Sequence, residues 1–259
     1  MNNPVIEELY LKDEKLSALV PEEIIKWATE VMDENWTKAK DAGPKQKAQN
    51  KIVHTKEVVK AGWEIMENEK SIEWDKKIGT IVCFLHDIGR FPQIHSNTFI
   101  DADSGIDHAS LGSEMFLKEQ FDVPAREEIA EAIYWHSRKE NQSTSPYAKL
   151  ARDADKTALF RIYDLMEKGD TRAYNLTGNE IREEKLNDFL NNTMTPYSGF
   201  RSVAEWYLFN GTWLSDLNFE ATKNIFRQEK YPEMLLNKFK ALGIDFAKLA
   251  LIEQKFTSF

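Results

Sequence analysis

Apolar residues along the chain recur mostly at three- and four-residue spacing, the signature of helices that each bury one face. Residues 4–32 predict one or two amphipathic helices, with Pro21 and the acids Glu22 and Glu23 opening the second. A helix start tolerates the missing proline N–H and favours negative charge. The polar stretch 36–50, WTKAKDAGPKQKAQN, contains a Gly-Pro break and predicts a loop. Ile52, Val59, Trp63 and Met66 form a stripe that predicts a helix over 51–68. Residues 77–88 predict a short, very apolar helix ended by Gly89, and the turn formers of 92–107 predict a long loop. Helices are expected over 108–121, 124–137 and 146–168, with Pro124 and Pro146 at their starts. From 170 to 259 the pattern stays helical, apart from a turn-rich interruption at 191–200. The expected fold class is therefore all-α. Residues 1–50 would pack as N-terminal helices on a core at 51–168, and 169–259 would form a C-terminal helical extension of the same domain.

Composition sharpens this picture at a few points. Trp206, Tyr207, Phe209, Trp213 and Phe219 crowd one segment, which reads as helix-packing core or, alternatively, as the wall of a substrate pocket. The one cysteine, Cys83, sits in the apolar run, so a disulfide framework is excluded and a reducing, cytoplasmic setting is expected. The acidic N-terminus has no apolar core of a signal peptide, and no apolar stretch approaches the roughly 18 residues of a membrane span. A formal net charge of −9 argues against a broad nucleic-acid surface. It leaves room for a small anionic ligand, since a local metal ion or arginine cluster can outweigh the global sign.

The chemistry concentrates in IVCFLHDIGR, where an apolar run delivers His86 and Asp87 side by side into expected core. An unpaired buried carboxylate costs several kcal/mol or protonates, so this one needs partners. Of the five histidines, His54 lies in the first turn of the 51–68 helix and His108 opens the helix after the polar loop. His136 shares an apolar stripe with Ile129 and Ile133. In KLARDADKTALFRIY, Asp155 shares a face with Ala151, Ala158 and Ile162, whereas Asp153 falls on another. Four imidazoles and two carboxylates on core-facing surfaces suit a divalent metal, and the lack of thiolates argues against a structural zinc knot. Six such donors exceed the share of one catalytic ion and fit two ions joined by a carboxylate.

The sequence also resembles the HD-domain superfamily of metal-dependent phosphohydrolases, whose signature is H…HD…D. The matching residues are His54 in KIVHTKEVV, His86-Asp87 in FLHDIGR and Asp155 in RDADK, and the resemblance covers about residues 50–168. His108 in IDHASLG and His136 in IYWHSRK match the extra ligands of the dinuclear subset. The stretch RFPQIHSNTFIDADSGIDHASLG is similar to a bacterial subgroup of HD hydrolases. Two departures bear on a third ion: His136 is followed by Ser137 rather than by a second histidine, and no GYP motif is present.

The resemblance implies an HD-domain helical bundle that holds one or two divalent ions (Mn, Fe, Co, Ni, Zn or Mg) through His54, His86, Asp87, His108, His136 and Asp155. Its implied activity is hydrolysis of a phosphate ester, a nucleotide among the candidates, by a metal-activated water. Asp87 would bridge the ions and orient the water. Arg90 matches the Lys/Arg of the HDxGK/R variant and would contact the phosphate. Gln93, His95, Asn97 and Lys156 are further candidates for substrate contact, with Asp103 beside them. A small phosphorylated molecule is the expected partner, with no membrane involved. Two other readings stay open: an HD-type diiron oxygenase that activates O₂ with the same ligands, and a metal-binding sensory module without turnover.

Overall fold

The computed structural model describes residues 3–96, 101–138, 142–165, 176–193 and 199–259. Among them every regular element is helical and no strand occurs, so the expected all-α class holds. None of the described helices is long and apolar enough to cross a membrane. The chain divides into two compact units, Met1–Ala158 and Leu159–Phe259.

The first unit opens with short turns at Pro4–Ile6 and Glu7–Leu11, followed by α1 (Glu14–Leu19), α2 (Glu22–Lys38), α3 (Ala42–Asn68) and α4 (Lys76–Leu85). After a run of short turns come α5 (His108–Glu119), α6 (Arg126–Trp135) and α7, which spans Pro146–Leu165 and contributes its residues through Ala158 to this unit. The central element is α4. Its Asp75 cap accepts hydrogen bonds from the Lys77 and Ile78 amides at 2.8 and 3.2 Å, and every residue from Ile78 to Leu85 is buried. A helix apolar on all sides must be enclosed by others. Here α3 and α6 pack against it. Two glycines permit the approach. A Cβ on Gly62 of α3 would lie 2.4 Å from Cys83 Sγ, and one on Gly79 would lie 2.4 Å from Met66 Sδ and 3.1 Å from Leu150 of α7.

Two loop expectations are corrected. The polar stretch 36–50 is mostly helix: α2 runs to Lys38 and α3 begins at Ala42. Pro44 falls in the first turn of α3, where its absent N–H has no intrahelical acceptor to miss, so Gly-Pro opens the helix instead of breaking it. The region 92–107 holds short turns at Arg90–Gln93, Ile94–Ser96 and Asp101–Ser104. The remainder of that expected loop, 97–100, lies outside the described residues.

The second unit comprises α8 (Glu183–Leu190), α9 (Val203–Thr212), α10 (Glu220–Gln228), α11 (Tyr231–Leu242) and α12 (Phe246–Thr257). Its core is aromatic: Phe160 packs edge-on against Trp213 and Phe226, and Trp206 stacks on Phe209. The aromatic segment is therefore packing core, with Trp206, Phe209, Trp213 and Phe219 all buried. One charge is buried at its edge. The Glu205 carboxylate, 1% exposed, accepts from the Arg182 Nε and Nη2 at 2.6 and 2.7 Å and from the Arg201 amide at 2.9 Å. The Ser202 hydroxyl meanwhile caps α9 by accepting from the Glu205 amide. Burial raises the Glu205 carboxyl, but Arg182 and the two backbone amides lower it by more, so its pKa ends below the usual carboxylate value.

Removing one partner of a buried pair strands the other, at about 3–5 kcal/mol. Arg182 is 26% exposed and can rehydrate, so Glu205→Ala should cost about 3 kcal/mol at neutral pH, read from the urea midpoint. A depressed folded pKa gives stability that is present above the unfolded value and lost as pH falls. The gap between wild type and variant should therefore shrink below about pH 4.

Candidate metal centre

Five elements of the first unit deliver six side chains to one place. His54 comes from α3, His86 and Asp87 from the end of α4, His108 from the first residue of α5, His136 from just beyond α6, and Asp155 from α7. All lie on helices or helix ends, whose backbone is held by its own hydrogen bonds.

Helix ends also set the protonation of the rings. The last carbonyls of a helix lack intrahelical donors. His86 caps α4 and its Nδ1 lies 2.8 Å from the Cys83 carbonyl oxygen; His136 caps α6 and its Nδ1 lies 2.6 Å from the Ile133 carbonyl oxygen. His108 Nδ1 lies 2.7 Å from Asp101 Oδ2. Each Nδ1 must donate to such an acceptor, which assigns the proton to Nδ1 and leaves a lone pair on Nε2. The two bare nitrogens of His108 and His136 face each other at 3.3 Å, with Asp87 Oδ1 at 3.4 and 3.5 Å from them. Three acceptors converging with no donor between them call for a cation.

The other side repeats this. Asp87 Oδ2 lies 3.8 Å from His54 Nε2 and 3.5 Å from His86 Nε2. Asp155 Oδ1 lies 2.9 Å from His54 Nε2, without the alignment of a hydrogen bond, and 3.8 Å from His86 Nε2. Both of these nitrogens are buried and lack a hydrogen-bond partner among the described residues. Two trios result, His54–His86–Asp155 and Asp87–His108–His136, and within each the donor atoms lie within 4.8 Å of one another. Around an ion with bonds of about 2.1 Å, neighbouring donors sit about 3.0–3.4 Å apart, close to the spacings found. The donor set of imidazoles and carboxylates fits a divalent cation. A third acidic group, Asp101–Asp107–His108, is already satisfied. Asp107 caps α5 and pairs with Arg138 at 2.6 Å, and Asp101 serves His108, Arg90 and Gln93.

Comparison with known families matches residues 52–159 to the HD domain. The chain carries an HD domain. Searches of curated proteins and of solved structures find no significant match to the chain. HD domains bind divalent metals, and all six side chains of the two trios fall inside the matched segment.

The electrostatics favour the metal-binding forms of His54, His108, Asp87 and Asp155, and His86 shifts the other way. Burial, with Lys51 nearby, lowers His54 to about 4; burial, with Arg90 nearby, lowers His108 to about 4. Both rings are thus neutral near pH 7. Burial also lowers His86, but the Asp87 and Asp155 carboxylates raise it by more, for a net upward shift. Burial would raise Asp87, but Lys51 and the surrounding imidazoles hold it well below the usual carboxylate value. Asp155 is lowered likewise, burial being outweighed by His54. Cys83, whose thiol burial pushes up to about 12, meets Gly62 and supplies no thiolate.

The other expected site residues lie around this centre in different ways. Arg90 has Nε 3.6 Å from Asp87 Oδ1 and Nη1 hydrogen-bonded to Gln93 at 2.6 Å and Asp101 at 2.7 Å. Gln93 is fully buried, and its amide nitrogen donates to Asp101, Ser104 and the Ile106 carbonyl. His95 is exposed and its Nε2 meets Asn35 Oδ1 at 3.0 Å. Asp103 is exposed and Lys156 is buried. Asn97 lies outside the described residues. Asp155 joins the donors, and Asp153 belongs to neither trio. Sequence reasoning missed Asp101 and Lys51, the latter 2.5 Å from Asp87 Oδ2. Lys51 carried a signal in hindsight, since it precedes His54 by three residues, on one helix face.

Gly89 brings the two trios together. A Cβ there would lie 2.1 Å from the His108 carbonyl oxygen and 2.8 Å from the Gly112 amide, so the turn after His86-Asp87 rests directly on α5. Gly89→Ala must push α5 away from Asp87. We expect at least a tenfold loss of affinity at the Asp87–His108–His136 trio, roughly the cost of disturbing a ligand's support, measured by calorimetric titration with Mn²⁺. Unchanged affinity would show that the contact does not position the donors.

Proposed function

We propose that this HD domain is a metal-dependent phosphohydrolase that cleaves a phosphate ester of a small molecule at a dinuclear centre bridged by Asp87. One observation carries the reading. The two oxygens of a single buried carboxylate face separate pairs of imidazole nitrogens, Oδ2 toward His54 and His86 and Oδ1 toward His108 and His136. His54, His86 and Asp155 would hold one ion and His108 and His136 the other, with Asp87 shared. Divalent ions bound there supply a water of lowered pKa and charge to neutralise phosphate oxygens.

The chain's own groups do the rest. Asp87 fixes the spacing of the two trios and, kept ionised, can accept a hydrogen bond from the attacking water. Asp101 is a positioning residue: its carboxylate holds His108 Nδ1–H, so that Nε2 stays bare and aimed at Asp87. Gln93 and Arg90 hold Asp101 in turn. Arg90 can neutralise phosphate charge from its place beside Asp87, while Gln93, with its amide committed, is a strut in this reading. His95, exposed and bonded to Asn35, and buried Lys156 are weaker candidates for substrate contact.

Phosphate release, assayed with Mn²⁺, Co²⁺, Mg²⁺ or Fe²⁺ across nucleotides and sugar phosphates, tests the proposal. Activity should appear with at least one metal and fall about a thousandfold in Asp87→Asn, as expected for several kcal/mol of lost charge stabilisation. Asp155→Ala should lose metal, and Asp153→Ala should keep it. Silence across the panel with two ions bound would instead favour O₂ activation at a diiron form of the same ligands, read from its absorption bands.

A further inference from the structure

Lys51 stands closer to Asp87 than any donor of the centre does. Its Nζ is 2.5 Å from Asp87 Oδ2, against 3.4–3.8 Å for the four imidazole Nε2 atoms. The carboxylate it meets is 4% exposed and the ammonium 18%. The oxygen it meets is the one that also faces His54 and His86.

This placement creates a competition. A divalent ion among His54, His86 and Asp155 would draw on Asp87 Oδ2, the atom the ammonium now holds. Two cations within a few ångströms in a poorly solvated site repel strongly. The two neighbours of Asp87 differ in how they can respond. Arg90 lies on the Oδ1 side, farther away, and is fixed by Asp101 and Gln93. Lys51 ends in a compact ammonium on a flexible four-carbon stem, partly open to solvent, and can leave by rotating that stem.

We infer that Lys51 is the resident counter-cation of the centre: it neutralises and orients Asp87 in the metal-free chain, and ion uptake at His54–His86–Asp155 expels it from Oδ2. The inference rests on the metal-centre reading above and is independent of the reaction catalysed there. Its benefit is order without metal. Without the ammonium, Asp87 would keep only the more distant Arg90 guanidinium, at 3.6 Å on Oδ1. A buried carboxylate short of cations tends to protonate or turn away, which would cost the donors the group they share. Its cost is affinity, because the first ion must displace a charge already in place.

The test is equilibrium binding of Co²⁺, followed by its visible absorption, on the full chain as wild type, Lys51→Met and Lys51→Arg. Lys51→Met should bind at least about tenfold more tightly, or about 1.4 kcal/mol. Its metal-free melting temperature should fall below wild type, and saturating Co²⁺ should close that gap. Lys51→Arg, which keeps the charge, should resemble wild type. Equal or weaker binding by Lys51→Met, or a melting deficit that persists in Co²⁺, would make the lysine a plain structural partner and overturn the inference. A second readout needs no variant: amine acylation of wild type, mapped by mass spectrometry, should modify Lys51 faster with Co²⁺ than without. A slower or equal rate would likewise overturn it. If neither protein takes up metal, the centre and the lysine's role fall together; uptake with unchanged affinity removes the lysine's role alone.

Discussion

The first unit is organised around a charge it has no energetic reason to bury unless that charge is answered from every side. Asp87 is 4% exposed, just past the end of a helix buried at every residue from Ile78 to Leu85. An isolated carboxylate there would be neutralised by protonation. Instead it meets Lys51 on one oxygen, Arg90 on the other, and two imidazoles on each. None of these groups is its neighbour on a helix face except Arg90. The answer must be assembled by tertiary packing, so α3, α4, α5, α6 and α7 have to meet within a few ångströms of one point. The glycines follow from that demand. Gly62 and Gly89 stand where a methyl group would hold α3 or α5 off α4 and the turn that follows it.

Ordinary helix-end requirements do much of the chemical preparation. A helix leaves its last carbonyls without donors, and in α4 and α6 the capping residue is a histidine whose Nδ1 satisfies one of them. The same bond that finishes the helix fixes the tautomer and turns Nε2 toward the carboxylate. No separate device is needed to hold these two rings. His108 begins a helix, where the unsatisfied groups are amides, so it cannot use this arrangement. It borrows a carboxylate from Asp101 instead, and Asp101 requires Arg90 and Gln93 to hold it. The polar network in the 90–108 segment thus follows from placing one donor at the wrong end of a helix for self-capping.

The same distinction explains what could be read from the chain. Histidines are scarce here, and His86, His108 and His136 fall at a helix end or on an apolar stripe, positions visible from periodicity, whereas His54, expected in the first turn of a helix, lies well inside α3. Helical phase also separated Asp155 from Asp153, two residues apart on α7. Helix boundaries were harder: Gly43-Pro44 signals a break by composition, yet in the first turn of α3 it breaks nothing. Asp101 was not legible, and Lys51 showed only its place one turn before His54, because a charged residue has many possible partners. Only the fold decides which it meets. Periodicity reports which face is buried, and it is silent on which buried polar groups touch.

The two halves of the centre are not equivalent, and the reason lies in their supports. His108 and His136 each have Nδ1 held, by Asp101 and by a helix carbonyl, so their bare Nε2 atoms are aimed at each other and at Asp87. Both rings of that trio are thus oriented by hydrogen bonds to Nδ1. On the other side His86 is held by the Cys83 carbonyl, but neither ring nitrogen of His54 has a hydrogen-bond partner among the described residues. His54 faces the Asp155 and Asp87 carboxylates at 2.9 and 3.8 Å, and this is the side on which Lys51 occupies the shared oxygen. One half is thus oriented by hydrogen bonds at both rings, whereas the other depends in part on charge, so the carboxylate that joins them couples half-sites held in different ways.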